Sequence, residues 1–320
     1  MGQAITPILC YYLSEKIRRL IAALEYPESG PLNIQEIKET CRFFGIHLTK
    51  GRGQNFLHDE NILDLLAKTA IDNPETVVLE IGAGLGNWTE HLAPKTAKVY
   101  AIEVDRKICS ILRQRVGKLP NVEVVEADAL EMDFGRIWDA HRDSQIIVTG
   151  NLPYNITSPI IFRLIGEYRQ RQPFCKACFM VQREVAERMI AEPGGKEYGR
   201  LAVMLNYYCK VVWEKAVPRQ CFFPKPTVDS VFVSLNFGQG VRQCADEDAL
   251  FDLLVRTTFA QRRKQIQNTL KTLPQFSGLQ WESILSTTGI KPTQRPEEIP
   301  PEGFLRLVKA IGETRDEWKR

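Results

Sequence analysis

Glu80-Ile81-Gly82-Ala83-Gly84-Leu85-Gly86 constrains this chain more than any other stretch. An apolar run over 76–81 leads into it, and a short helical pattern over 87–92 follows. A buried strand that turns through glycines into a helix is the opening unit of a doubly wound parallel sheet. The spacing is E-x-G-x-G-x-G. Position 87 is Asn, so the G-x-G-x-x-G fingerprint of dinucleotide sites loses its third glycine. A pyrophosphate favours a bare helix N-terminus. The carboxylate of Glu80 suits a ligand with a cationic amine instead. Taken alone, the glycine turn leaves nicotinamide enzymes in contention.

The next strands narrow the choice. The apolar run 98–102 ends at Glu103, about 20 residues past the glycines, where an acid reaches ribose hydroxyls. A third strand, 122–126, runs out at Asp128, which can accept a hydrogen bond from an adenine amine. Two acids and a glycine turn at the ends of three successive strands describe a nucleoside pocket. With Glu80 beside it, the methionine end of S-adenosylmethionine fits. A fourth strand, 146–150, delivers Asn151-Leu152-Pro153-Tyr154. The Asn151 amide oxygen and the Leu152 carbonyl are acceptors, and Pro153 fixes the turn that aims them. Together they can hold both hydrogens of a planar exocyclic amine, while Tyr154 offers a face for a base to stack on. An isolated tetrapeptide of this kind reads equally as a strand-to-helix loop with a capping Asn. Its place at a strand end argues for chemistry.

The flanks read as follows. Leu13, Ile17, Leu20, Ile21 and Leu24 mark an amphipathic helix, and a second spans 34–44. Residues 50–57 are basic and glycine-rich, in the manner of a linker or a lid. Asp59 is an N-cap candidate for the helix after them. Helices are predicted over 158–168 and 183–191, strands over 174–181, 211–217 and 228–237, and 201–208 suits either. Pro224 and Pro226 make 222–230 a rigid connection that carries aromatic rings. Beyond Gly238 the pattern turns helical. There Arg262, Arg263 and Lys264, on a helix predicted over 261–271, form the sharpest cationic cluster. Such clusters reach phosphates, and commonly they are only a solvated face. With 42 Lys and Arg against 39 Asp and Glu, the net charge of +3 exerts little global pull on nucleic acid, so any RNA contact must be local. No apolar run reaches the length of a membrane span. Eight scattered cysteines, with Cys175 and Cys178 the only C-x-x-C, read as buried reduced thiols in a cytoplasmic protein, without a metal site.

Six motifs in order resemble the KsgA/RsmA-type ribosomal RNA adenine dimethyltransferases. They are Gly53-Gln-Asn-Phe-Leu57, Glu80 to Gly86, Glu103 with Asp128-Ala129, Asn151 to Ile156, Phe222-x-Pro-x-Pro-x-Val-Asp-Ser230, and Phe259-Ala-Gln-Arg-Arg-Lys264. The resemblance implies a seven-strand class I S-adenosylmethionine-dependent methyltransferase domain, Rossmann-like, plus a small all-α C-terminal domain. The expected division is 1–44 as a helical extension, 45–238 as the catalytic domain and 239–320 as a helical RNA-binding domain. By resemblance, Asn55 and Leu57 close over the cofactor, Gly82 and Gly84 cradle it, Glu103 takes the ribose and Asp128 the adenine amine. Asn151, Leu152, Pro153 and Tyr154 then hold the target adenine, with Phe222 as a second stacking face. The implied activity is transfer of methyls from S-adenosylmethionine to two adjacent adenosines in the 3′-terminal hairpin loop of small-subunit (16S) rRNA. The implied partner is the pre-small ribosomal subunit, met by a monomer with no membrane attachment. Large-subunit dimethyltransferases, nucleic-acid-binding factors that kept the fold without the chemistry, and small-molecule or protein methyltransferases are the rival readings.

Overall fold

The computed structural model describes residues 31–46, 55–153 and 155–317. The amphipathic helix over 13–24, Gly53 and Tyr154 lie outside the described residues. In chain order the elements are α1 (Ile34–Phe43), β1 (Phe56–Leu57), α2 (Glu60–Ala70), β2 (Val77–Ile81), α3 (Asn87–Leu92), β3 (Lys98–Glu103), α4 (Arg106–Val116), β4 (Val122–Glu126) and α5 (Gly135–Ala140). They continue with β5 (Ile146–Asn151), α6 (Thr157–Arg171), β6 (Lys176–Gln182), α7 (Arg183–Met189), α8 (Arg200–Tyr208), β7 (Cys209–Val217), β8 (Phe222–Phe223) and β9 (Ser230–Phe237). The chain ends in α9 (Asp248–Ala260), α10 (Ile266–Leu270), α11 (Trp281–Thr287) and α12 (Pro301–Glu317).

Seven strands form one sheet in the order β4-β3-β2-β5-β6-β9-β7. β2 pairs in parallel with both β3 and β5, and β9 enters antiparallel between β6 and β7. The chain therefore builds outward from β2 on one side, then returns to its other side at β5. This reversal opens a crevice past the carboxyl ends of β2 and β5, where Gly82 and Asn151 sit. Gly150 makes the close pairing possible. A Cβ there would stand 2.3 Å from the Ile81 carbonyl oxygen, a contact no side chain tolerates.

Local chemistry starts the helices as the sequence predicts. Asn33 and Glu36 form a capping box on α1, and Asp59 accepts from the Ile62 N–H at 3.1 Å to cap α2. The ambiguous segment 201–208 is helix α8, with seven of its residues buried. It is apolar all round because it lies between the sheet and the terminal helices. One hydrophobic cluster runs from Val148 and Phe179 on the sheet through Tyr207 to Phe251, Leu254 and Phe304. The Tyr207 and Phe251 rings stack with centroids 3.7 Å apart.

Three expectations need correction. Residues 261–264 are a turn between α9 and α10, so the Arg262 cluster is not on a helix face. Cys175, just before β6, is exposed, and so is Cys244, whereas Cys178 inside β6 is buried. Both faces of this strand are covered, Ala177 to Val181 all being buried, so Cys175 is exposed because it lies ahead of the strand and not because of the face it takes. Phe222 is the third case and bears on the site.

Candidate active site

A cavity of about 900 Å³ lies past the ends of β2, β3, β4 and β5. Gly82, Glu103, Asp128 and Asn151 all line it, each delivered by a different strand. Gly84 lies in the turn with φ +59°, a left-handed conformation that a side chain resists, and a Cβ there would come within 3.0 Å of the Phe56 ring. The loop is thus shaped by backbone, leaving its surface open to a ligand.

The two buried carboxylates are held differently. Glu103 accepts from the Gly84 N–H at 3.0 Å through one oxygen and from the Asp105 N–H at 2.9 Å through the other. Burial nonetheless pushes its pKa up from the usual carboxylate value. Glu80, 2% exposed, accepts from the Thr89 hydroxyl at 2.6 Å, and burial pushes its pKa up to about 8. Asp128 is exposed on the rim, with one oxygen accepting from the Leu130 N–H at 2.8 Å.

At the end of β5 the polar atoms divide cleanly. The Asn151 side-chain N–H donates to the Asn55 carbonyl at 2.7 Å. That bond assigns the amide orientation and leaves the amide oxygen without a partner among the described residues. The Leu152 side chain is core, at 1% exposure, while its N–H donates to the Met180 carbonyl. No donor among the described residues reaches the Leu152 carbonyl. Pro153 lines the cavity, and its carbonyl accepts from the Ile156 N–H and the Thr157 hydroxyl. Among the described residues, two adjacent acceptors therefore stand without a donor at the end of β5.

Asn55 and Leu57 also line the cavity, and the β1–β8 pairing holds them there. Register explains the Phe222 correction. Leu57 lies opposite Phe222, and Phe56 opposite Phe223. Directly opposed residues share a face. Leu57 and Phe222 thus enter the core around Trp88 and Phe232, with Phe222 only 3% exposed, while Phe56 and Phe223 face the cluster under α1. Phe222 is a buried anchor of the β1 strand and does not line the cavity.

Sequence reasoning missed Asn87, the residue in place of the third glycine. It is 6% exposed and accepts from the Leu32 N–H and from Arg115, while its own N–H groups donate to the carbonyls of Leu32 and Leu57. Arg115 also pairs with Glu90 at 2.8 Å. One side chain thereby ties the segment before α1, the β1 strand and α4 to the glycine turn. The broken fingerprint was its only sequence signal. Val104 was missed as well; it is 63% exposed at the cavity and offers an apolar edge for a flat ring.

The C-terminal cations separate. Arg262 pairs with Glu297 at 2.5 Å and donates to the Lys196 carbonyl, whereas Arg263 and Lys264 are exposed. Among the described residues no three His, Cys, Asp or Glu side chains are grouped to hold a metal ion.

A family profile described as ribosomal RNA adenine dimethylase matches residues 47–313. The chain belongs to the ribosomal RNA adenine dimethylase family. It is an rRNA adenine dimethyltransferase that uses S-adenosylmethionine as methyl donor. Among similar proteins, the ribosomal RNA small subunit methyltransferase A of Clostridium botulinum is 37% identical over 274 residues, covering 86% of this chain and 98% of that protein. Its counterpart in a Geobacillus species is 36% identical over 279 residues, covering 86% and 95%. Among solved structures, a dimethyladenosine transferase from Plasmodium falciparum aligns with a TM-score of 0.64 at 30% identity, covering 81% of this chain and 98% of that one. The 23S rRNA methyltransferase ErmE aligns with a TM-score of 0.60 at 27% identity, covering 80% and 99%.

Proposed function

We propose that this chain dimethylates N6 of two adjacent adenosines in the 3′-terminal hairpin loop of small-subunit rRNA, acting as a cytoplasmic monomer on the assembling subunit. The observation that carries this reading is the pair of acceptors left without a donor among the described residues: the amide oxygen of Asn151, which lines the donor cavity, and the carbonyl of Leu152 next to it in the chain. An adenine amine is a poor nucleophile because its lone pair is delocalised into the ring. Two acceptors that take its hydrogens favour the tetrahedral form, in which the pair is free. The lone pair then forms the new N–C bond as the C–S bond of the donor breaks. The proton leaves afterwards to solvent, so placement matters more than a general base. The base enters by leaving its stack, at a cost of a few kcal/mol that a hairpin loop lowers.

The donor cavity fits S-adenosylmethionine by its chemistry: the carboxylate of Glu80 for the amine, Glu103 for the ribose, Asp128 and Val104 for the adenine, and a backbone cradle at Gly82 and Gly84. Asn55 and Leu57 cover the donor, and Tyr154 stacks on the target base. Arg263 and Lys264 reach rRNA phosphates, while Arg262 braces their turn. The relatives at 36–37% identity carry small-subunit names, which favours that RNA over the large-subunit RNA named for ErmE. No helix among the described residues is long and apolar enough to cross a membrane, and the described cysteines are free thiols, in keeping with the cytoplasm.

The test is methyl transfer to unmodified small subunits, read by mass spectrometry of the rRNA. Wild type adds methyls to the 3′-terminal hairpin. The Asn151→Ala variant folds but loses transfer by at least about 100-fold. Normal turnover by that variant, or modification only of large-subunit RNA, overturns the proposal.

A further inference from the structure

Glu80 and Thr89 lie nine positions apart, on either side of the glycine turn. The Thr89 hydroxyl donates to Glu80 Oε2 at 2.6 Å, and both side chains are buried, at 0% and 2% exposure. Thr89 is the only hydrogen-bond donor to Glu80 among the described residues. The other carboxylate oxygen, Oε1, is therefore unpartnered in a residue that lines the donor cavity. Thr89 itself does not line it. The hydroxyl belongs to the first turn of α3, whose N-cap is Gly86, so its position is set by the same turn that cradles the ligand. The neighbouring charge that acts on Glu80 is Glu103, on the adjacent strand β3.

We propose that Thr89 is a positioning residue for the methyl donor: it pins one oxygen of Glu80 so that the other is aimed at the donor's ammonium group. The proposal rests on the donor reading of the cavity given above. A hydroxyl that donates to a carboxylate favours the charged form. It also removes the rotational freedom that the side chain would lose on binding. Left unpinned in this buried setting, the acid would hold its proton more tightly and give it up to the cation only at a higher pH. Thr89 is thus a second determinant of donor affinity, acting through Glu80 and making no contact with the donor.

The test separates hydroxyl from methyl. Thr89→Val keeps the shape and removes the donor group; Thr89→Ser keeps the donor group and removes the methyl. Binding of S-adenosylmethionine is measured by calorimetry without RNA across about pH 6 to pH 9, with the melting temperature of each variant recorded alongside. Thr89→Val weakens donor binding about 10- to 100-fold and moves the pH at which affinity rises upward. Thr89→Ser restores both. In turnover, the Val variant raises KM for the donor and leaves kcat at saturating donor and KM for RNA within about twofold. Wild-type donor affinity and pH profile in Thr89→Val overturn the proposal, and so does a Ser variant as weak as the Val variant, because that outcome assigns Thr89 to packing. If the wild-type protein binds no S-adenosylmethionine, the donor reading itself fails, a result distinguishable from either.

Discussion

Glu80→Gln turns a buried acid into a neutral group of the same shape, and its consequence for stability has a definite sign. Glu80 is held at about 8 by burial, against an ordinary value of 4.5. Between those values the folded protein retains a proton that the unfolded chain has released. The stabilisation from protonated Glu80 is complete below the unfolded value and is lost as pH rises through the folded one. The slope is about 1.4 kcal/mol per pH unit, so from about pH 5.5 to pH 7.5 the wild type gives up roughly 3 kcal/mol through this residue. Glu90, pushed up to about 7, and Glu103 add slopes of the same sign, and both remain in the variant. The difference between variant and wild type therefore isolates Glu80. Urea unfolding without donor, at intervals across that range, reads it directly. The variant gains on wild type steadily as pH rises, while its affinity for S-adenosylmethionine falls at least about tenfold for want of the carboxylate. Parallel stability curves for the two proteins would refute the reasoning. The fold is thus less stable at neutral pH for carrying a buried acid, a common arrangement at functional sites.

The same linkage predicts that donor binding releases a proton below about pH 8, so calorimetric enthalpies change with the ionisation enthalpy of the buffer; identical enthalpies in two such buffers count against an ionising Glu80. Phe222→Ala opens a hole beside Leu57 and lowers stability by about 3–5 kcal/mol in chemical unfolding, together with donor affinity, because β1 loses its anchor. Gly150→Ala places a methyl group 2.3 Å from the Ile81 carbonyl oxygen. It spreads β2 from β5 at the site and lowers stability by more than about 3 kcal/mol, measured by thermal unfolding. Replacing Arg263 and Lys264 with Ala lowers the salt dependence of rRNA binding by roughly two charges, whereas Arg262→Ala loosens the turn and shows mainly as a lower melting temperature.

Much of the site was legible because its signals are local. Parallel strands all end on the same side of a sheet. The residues that close the apolar runs at Ile81, Glu103, Glu126 and Gly150 therefore had to converge, and Gly82, Glu103, Asp128 and Asn151 do line one cavity. Caps announced themselves in the same way, as Asp59 did. What lay beyond reach depends on partners distant in sequence. The direction of the Phe222 ring follows from its register with Leu57, and nothing within residues 222–230 encodes that pairing. Arg262 is engaged by Glu297, 35 positions away, so only two cations of the three stand exposed.

By itself the sequence determined the seven strands of the main sheet and their order along the chain, the glycine turn and the set of chemical groups offered at the strand ends. Periodicity and backbone preference act over a few residues and survive without context. Only the tertiary structure decided which of those groups remain free to meet a ligand. Asn87 became a clasp between the segment before α1, β1 and α4, Thr89 became the partner of Glu80, and the Asn151 amide nitrogen was taken by Asn55 while its oxygen was left open. A polar atom's availability depends on every donor and acceptor that packing brings within about 3 Å, and that is a property of the whole fold.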